Sequence, residues 1–202
     1  MTLADILTSS TNPAEFAERY LKRLSELFGS LDTAAIADFA GHLDQARRAQ
    51  QTIFLIGNGG SAATASHMAN DLGLCPVGPS QPRFRAFALT DGVPIVTAVA
   101  NDFGFVDIFR RQLEVHYRPG DYLVAISASG DSPNVLSAAA WAKEHGGTVM
   151  GLLGFDGGRL KALCDVAVLA PTPRGEYGPV EDVHLILDHI VTLWLRRSLG
   201  SR

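Results

Sequence analysis

Ionisable side chains are concentrated in two stretches of the sequence. His67 and Asp71 are four residues apart in a helical pattern, so they share one helix face. A second group lies near the C-terminus, among apolar residues that also predict a helix: Glu181, His184, Asp188 and His189. Two histidines with two carboxylates can bind a divalent metal such as zinc. The same groups can act as general acid and base beside a carbonyl. On spacing alone, a surface ion pair and a polar helix stripe are slightly favoured over a metal site or an acid–base site, and the alternatives stay open.

One geometric restriction applies to any metal site on the last helix. Glu181 and His189 are eight residues apart, which is about 12 Å of rise on a straight helix. Binding of one ion by both side chains therefore requires an irregular first turn, or ligands from different subunits.

Two loops rich in small residues each follow a predicted strand. Residues 57–61 (Gly-Asn-Gly-Gly-Ser) follow the apolar run 53–56 and open a helix that has almost no side chains in its first turn. Residues 127–132 (Ser-Ala-Ser-Gly-Asp-Ser) follow another apolar run, and Ser132 can cap the next helix. Bare N–H groups at a helix start, together with hydroxyls, suit a phosphate. Because open α/β sheets bind ligands at the carboxyl ends of their strands, the two loops predict a phosphorylated ligand. The alternative is that the serines only form turns and a cap.

The first loop also fits a loose dinucleotide-binding fingerprint through Gly57, Gly59 and Ala62. That motif expects an acidic residue about 20 positions further on. The nearest candidate, Asp91, comes later and follows a stretch rich in proline and glycine. The fingerprint also gives no role to the serine loop, so the phosphate interpretation is preferred.

Apolar runs alternate with helical patterns after residue 50. The runs predict five strands: 53–56, 84–89, 122–126, 148–153 and 166–169. Helices are predicted over 107–117, 133–145, 158–164 and 179–197, and a turn over 101–104. Continuous apolar strands separated by helices indicate a parallel sheet covered on both faces, hence an α/β fold. We expect one domain over residues 1–202, with an N-terminal helical extension over about 1–50.

That extension contains two amphipathic patterns. The first predicts a helix over 13–29 with Asn12 as its cap, and the second runs from Asp32 or Thr33 to about Ala49. Two helices before the first strand are more than one sheet face needs. They could cover the sheet or pack on a partner subunit, and the pattern favours neither.

Composition excludes several classes of protein. The net charge is -4 without a basic patch, which argues against nucleic acid as a partner. No apolar run approaches the roughly 20 residues that span a bilayer, so no membrane association is expected. Cys75 and Cys164 form no CxxC pair, so neither a disulfide framework nor a cysteine zinc site is expected. The N-terminal stretch has no basic region typical of a signal peptide, so a cytoplasmic location is expected.

Five blocks, in order, give the sequence a family resemblance. They are GNGGSAATASHMANDL, AVANDFGFVDIF, ISASGDSPNVLSAA, GLLGFDGGRLKALCDVAV and VEDVHLILDHI. Together they resemble the sugar isomerase (SIS) domain family and, within it, the phosphoheptose isomerases. The resemblance runs from about residue 13 to 196 and implies a flavodoxin-like three-layer sandwich with five parallel strands. It also implies a homotetramer with active sites at subunit interfaces, a sugar-phosphate substrate and, for many members, zinc.

The resemblance further implies roles for individual residues. Asp71 and His189 would be catalytic, and His67, Asp71, Glu181 and His189 would bind the metal. The residues expected to contact substrate are Asn58, Gly59, Gly60, Ser61, Asn101, Asp102, Ser127, Ala128, Ser129, Ser132 and Glu181. The implied reaction interconverts sedoheptulose 7-phosphate and D-glycero-D-manno-heptose 7-phosphate through an enediol, with help from a divalent metal.

Three positions depart from the family pattern. Asp71 stands where the family has a glutamate, Glu181 where it has a glutamine, and Cys75 where an arginine is usual. Arg83 or Arg85 could supply the missing cation. These departures keep two alternatives open. One is a non-catalytic SIS module that binds a phosphosugar or associates with a replication initiator, and the other is an isomerase of a different phosphosugar.

Overall fold

The computed structural model describes residues 2–200. Eight helices and five strands make up this part of the chain. The strands are β1 (Thr52–Ile56), β2 (Arg85–Ala88), β3 (Tyr122–Ser127), β4 (Thr148–Gly154) and β5 (Val166–Ala170). The helices are α1 (Leu3–Ser9), α2 (Pro13–Gly29), α3 (Thr33–Arg48), α4 (Gly60–Gly73), α5 (Val93–Asp102), α6 (Arg110–His116), α7 (Pro133–Glu144) and α8 (Tyr177–Gly200). Short 3₁₀ turns cover Phe105–Asp107 and Arg159–Leu163. The predicted domain range of 1–202 remains a prediction, and residues 1, 201 and 202 lie outside the described part.

The strands form one parallel sheet in the order β2-β1-β3-β4-β5. This is the flavodoxin-like order, and its switch point lies between β1 and β3. Side chains of alternate strand residues enter two separate cores. Leu55 and Val124 pack on the face covered by α3, α4 and α8, whereas Phe54 and Leu123 pack on the face covered by α5, α6 and α7. The predicted three-layer α/β sandwich is confirmed.

The N-terminal extension has three helices rather than the predicted two. α2 and α3 agree with prediction, and the side chains of Asn12 and Asp32 cap them. α1 was not predicted. It has seven residues and one buried side chain, Ile6, so it is too short to give a periodic signal. Reciprocal hydrogen bonds between Thr2 and Asp5 stabilise its first turn.

The segment after β2 also differs from prediction. Residues 101–104 were expected to form a turn, but Asn101 and Asp102 lie in the last turn of α5. Pro94 lies in the first turn of this helix, where its missing N–H is tolerated, and Gly104, at φ +97°, follows the end of the helix. The predicted helix over 107–117 is shorter than expected: a 3₁₀ turn ends at Asp107, α6 begins only at Arg110, and Tyr117 is already extended.

Candidate active site

The loop after β1 gives α4 an uncapped start. Gly59, at φ +55°, is the residue before the helix and offers no side-chain cap. A Cβ on Gly57 would lie 2.6 Å from the carbonyl oxygen of Ser61, so the chain can turn this tightly only with glycine there. The first N–H groups of α4 therefore lack side-chain partners, as an anion-binding helix start requires.

The loop after β3 presents three serine hydroxyls beside that helix start. The Gly130 N–H donates to Ser127 Oγ (3.0 Å), and the Asp131 N–H donates to Ser129 Oγ (3.2 Å). Both hydroxyls use oxygen as acceptor here, which leaves their protons for another group. Ser132 occupies the N-cap position of α7, as predicted, but its side chain makes no capping hydrogen bond.

The two loops enclose a cavity of about 110 Å³. Its lining contains the following residues: Asn58, Ser61, Ile126, Ser127, Ala128, Ser129, Ser132, Tyr177 and Glu181. Most of the predicted substrate residues are thus brought together at the switch point of the sheet. Tyr177, at the start of α8, was missed, since nothing in its sequence neighbourhood indicates that it faces the serine loop.

An amide pair fixes the two loops relative to one another. Asn58 Nδ2 donates to Asn134 Oδ1 (2.9 Å), and Asn134 Nδ2 donates back to Asn58 Oδ1 (2.8 Å). Asn134 is buried at the start of α7. Part of the hydrogen-bonding capacity of Asn58 therefore serves to align the loops. Asn134 was not predicted, because the pair forms only in the folded chain.

The side chain of Glu181, which belongs to α8, packs against the start of α4. A Cβ on Gly60 would clash with the carboxylate of Glu181, so the two residues are in close contact. Glu181 also lines the cavity. It is therefore placed with the loops 57–61 and 127–132 and not with the histidines that were predicted to share a metal with it.

The second cluster lies further along the same two helices. His67 Nε2 and His189 Nε2 are 3.4 Å apart, and Asp71 Oδ2 is 3.8 Å from His67 Nε2. Asp188, next to His189, joins this group: ligand atoms of all four side chains lie within 4.8 Å of one another. Three of the four predicted metal ligands are thus together, with Asp188 in the fourth place.

Asp188 is fully buried, and neither of its carboxylate oxygens has a hydrogen-bond partner among the described residues. Burial, reinforced by the nearby carboxylate of Asp71, raises the pKa of Asp188 to about 7. Asp188 is one of the ionisable residues noted in the C-terminal stretch of the sequence. Its spacing, however, gives no reason to prefer it to Glu181 as a metal ligand.

Two further residues of α8 contact Asp71. The Thr192 hydroxyl lies 3.5 Å from Oδ2, and an Arg196 guanidinium nitrogen lies 3.4 Å from Oδ1. The cation near the site is thus Arg196. Arg85, considered as a substitute for the missing family arginine, lines a different surface cavity with Thr52, at the amino end of the sheet. Cys75 is buried, and burial raises the pKa of its thiol.

Asn101 and Asp102 are exposed at the end of α5, where Asn101 Nδ2 donates to Asp102 Oδ1 (2.8 Å). Neither residue lines the cavity or belongs to the histidine cluster. Within one chain, these two predicted substrate residues are not part of the site.

The donor set fits a divalent metal. Two ligands of a tetrahedral zinc ion with bonds of about 2.1 Å are roughly 3.4 Å apart. The two Nε2 atoms of His67 and His189 have this separation. Imidazole nitrogen and carboxylate oxygen are both ordinary zinc ligands.

Comparisons with known proteins agree with this geometry. The profile of the SIS domain family matches residues 15–154. A phosphoheptose isomerase from Trichlorobacter lovleyi is 40% identical over 161 residues, which is 78% of this chain and 82% of the relative. The structure of phosphoheptose isomerase GmhA from Neisseria gonorrhoeae matches with a TM-score of 0.75 at 31% identity, covering 91% of this chain and 96% of that one. A phosphoheptose isomerase from Francisella tularensis matches with a TM-score of 0.79 at 27% identity, covering 98% and 100%.

The sheet order, the two loops rich in glycine and serine at its switch point and the profile match define an α/β protein of the SIS domain class. Within that class, the chain belongs to the phosphoheptose isomerase family. In the described part of the chain, no helix has the length and apolar character needed to cross a bilayer.

Proposed function

We propose that the protein isomerises a seven-carbon sugar phosphate, interconverting sedoheptulose 7-phosphate and D-glycero-D-manno-heptose 7-phosphate. One observation carries the proposal: a phosphate-type cavity and a cluster of acid–base groups lie at two levels of one helix pair. Gly60 contacts Glu181 at the upper level, and Asp71 contacts Thr192 and Arg196 at the lower one.

These contacts show that α4 and α8 run parallel. From Gly60 to His67 is seven residues, or about 10.5 Å along α4. That distance is comparable to the length of an extended sugar phosphate. A substrate with its phosphate between the two loops would therefore place its first two carbons beside Asp71 and His189.

The cavity suits a phosphate because it combines the bare start of α4 with the hydroxyls of Ser127, Ser129 and Ser132. Glu181 also lines the cavity, but its carboxylate is negatively charged, like the phosphate itself. Its carboxylate can accept hydrogen bonds from sugar hydroxyls but would repel the phosphate. We therefore assign it to the sugar rather than to the phosphate.

The chemistry is a proton transfer between neighbouring carbons. In the ketose-to-aldose direction, Asp71 takes a proton from C1, and the electrons of that bond form the C1=C2 double bond of an enediol. The C2 carbonyl oxygen accepts a proton from water and becomes a hydroxyl, and the proton that the C1 hydroxyl later loses returns to water. His189 then returns a proton to C2 while the C1 hydroxyl loses its own, which leaves an aldehyde at C1. A positioned base contributes about 10²–10⁴-fold to such a step.

His67, Asp71 and His189 would hold the divalent metal, for which zinc is our proposal. When bound, the metal would polarise the substrate oxygens at C1 and C2 and so acidify the C1 proton. Arg196 and Thr192 contact the two oxygens of Asp71 and keep the carboxylate directed at the cluster.

The quaternary structure belongs to the same proposal. Exposed apolar side chains surround the end of α5, among them Phe103 and Phe105, and would be covered in a homotetramer. In such an assembly Asn101 and Asp102 would reach the sugar in the site of a neighbouring subunit. A cytoplasmic location is consistent with the two unpaired cysteines.

The test is an assay with defined substrate. Purified protein is incubated with sedoheptulose 7-phosphate, with and without added zinc, and the aldose is detected by NMR. We expect conversion to an equilibrium mixture, and Asp71→Asn supplies the background. Absence of conversion with zinc and several other divalent metals would overturn the heptose proposal. Thermal stabilisation by the sugar phosphate without turnover would instead indicate a binding module.

A further inference from the structure

Asp188 is an unusual residue to find in the interior of this fold. It lies in α8 with no solvent exposure, in a helix whose buried residues are mostly apolar. Neither carboxylate oxygen has a hydrogen-bond partner in the described part of the chain. An ionised carboxylate without a partner costs several kcal/mol to bury, so such a group in a native protein requires an explanation.

The surroundings of Asp188 supply one. Its carboxylate faces His67, Asp71 and His189, and the four ligand atoms lie within 4.8 Å of one another. Two zinc ligands with bonds of about 2.0–2.2 Å can be at most about 4.4 Å apart. Small side-chain rotations would therefore bring all four groups onto one ion. The positive charge of the ion would then compensate the buried carboxylate of Asp188.

Glu181, by contrast, is badly placed for the same ion. It precedes Asp188 by seven residues, or about 10.5 Å along α8. Its carboxylate is in contact with Gly60 at the start of α4, where it lines the cavity. Reaching the histidines would require it to leave that position and extend along two turns of helix.

We propose that Asp188, and not Glu181, is the fourth ligand of the metal ion, in a site of two histidines and two aspartates. The inference rests on the proposed function only in taking His67, Asp71 and His189 as metal ligands. The two carboxylates neutralise a divalent ion, so the ion and its four ligands together carry no net charge. All four ligands come from α4 and α8, so one chain suffices to build the site, whatever its oligomeric state.

The test compares matched variants by zinc binding and by thermal unfolding, neither of which depends on turnover. The variants are Asp188→Asn and Asp188→Leu, with Glu181→Gln as the control. Zinc affinity is measured on chelator-treated protein by competition with a chromophoric chelator. We expect wild type and Glu181→Gln to bind one zinc per chain with affinities within threefold. Both Asp188 variants should bind at least 100-fold more weakly, since even outer-shell partners of metal ligands are worth 10–100-fold.

Thermal unfolding adds a result of opposite sign. Without metal, Asp188→Leu should unfold at a higher temperature than wild type, because it removes a buried carboxylate that has no partner. Excess zinc should raise the unfolding temperature of wild type and of Glu181→Gln but not that of Asp188→Leu. The asparagine of Asp188→Asn is nearly the same size as the native aspartate. A cooperative unfolding transition in this variant would show that its loss of zinc binding does not come from misfolding.

Three results would overturn the inference: zinc affinity kept within threefold in both Asp188 variants, affinity lost in Glu181→Gln, or no zinc binding by wild type. A failure of the heptose proposal would appear differently, as absent turnover in a protein that still binds zinc through Asp188.

Discussion

Asp71 carries the largest share of the proposed chemistry, and its surroundings restrict it closely. Arg196 contacts one carboxylate oxygen, and Thr192 and His67 contact the other. The side chain is short, so it can satisfy these contacts from only a narrow range of positions. Both the charge and the reach of this residue should therefore matter.

Two substitutions separate charge from reach. Asp71→Asn removes the base and should lower kcat/KM by about 10²–10⁴-fold. Asp71→Glu keeps the charge but moves it by one methylene, and a displacement of about 1 Å can cost on the order of 100-fold. Steady-state rates with sedoheptulose 7-phosphate, at saturating zinc, measure both. Full activity in Asp71→Asn would exclude Asp71 as the base.

His184 makes a second prediction, on stability rather than rate. Its imidazole is fully buried in α8, and burial lowers its pKa to about 4. In the unfolded chain the imidazole takes up a proton with the ordinary histidine pKa of about 6.5. Between these values the unfolded state holds more protons, so the free energy of unfolding falls as the pH decreases. The stability that depends on neutral His184 is fully present above about pH 6.5, and its complete loss at low pH amounts to roughly 3 kcal/mol.

The measurement is urea unfolding of metal-free protein between pH 7 and pH 4.5. His184→Leu should lose less stability than wild type over this interval, whatever its stability at pH 7. His116, exposed in the last turn of α6, provides the control, and His116→Gln should follow wild type. An unchanged pH slope in His184→Leu would contradict the prediction.

Sequence identified those site residues that carry a local signal. The serine loop, His67, Asp71 and His189 follow from short-range spacing and family blocks. Asn134 and Arg196 could not be found in this way, because each meets its partner only across the folded structure. Asp188 could be named but not ranked, since helical spacing does not say which of two carboxylates faces α4.

At the scale of elements, the position of α8 decides where both halves of the site lie. Contacts with the N-terminal helices hold its start. Tyr20 of α2 donates to Asp182 Oδ2 (2.6 Å), and Arg23 of α2 donates to Glu176 Oε2 (2.8 Å). Glu176 Oε1 also accepts the N–H of Leu3 in α1 (2.7 Å). The N-terminal helices thus brace α8, a role that was not apparent from their amphipathic patterns.

Removal of this brace should be costly. Arg23 and Glu176 are 15% and 5% exposed, so their ion pair is largely buried. Glu176→Ala leaves Arg23 and the Leu3 N–H without this acceptor and should lower the free energy of unfolding by about 3–5 kcal/mol. Arg48→Gln breaks an ion pair with Asp44 whose arginine is 72% exposed, and should cost less than about 1 kcal/mol. Urea unfolding compares the two, and equal losses would contradict the expected role of burial.

The strand pattern was predictable because a buried parallel sheet needs continuous apolar runs, and all five runs became strands. Elements with weaker signals were not. α1 has one buried side chain, Ile6, and the end of α5 carries polar residues that are as common in turns as in helices. The contact between α1 and Glu176 spans 173 positions, a separation that local patterns do not register.

At the scale of the whole molecule, the most conspicuous feature is an apolar surface along α8. Ile190, Leu193 and Trp194 are exposed and, with Ile36 of α3, line a cavity of about 540 Å³. Apolar surfaces of this kind commonly mark protein–protein contacts. The same helix carries the site on its other side, so association through this surface would fix α8 from both directions.

We therefore expect the purified protein to sediment as a tetramer of 21.6 kDa chains. Leu193→Asp introduces a charge into the α8 surface and should shift the population to smaller species, because an unpaired charge in an apolar interface is strongly unfavourable. Leu7→Asp is the matched control, since Leu7 is equally exposed, at 61%, but lies on α1, away from this surface. Sedimentation velocity across a concentration series measures the distribution.

If Asn101 and Asp102 act on a neighbouring subunit, heptose turnover should fall with the tetramer fraction in Leu193→Asp while zinc binding persists. A wild-type monomer, or a Leu193→Asp variant that remains tetrameric, would exclude this surface as the interface.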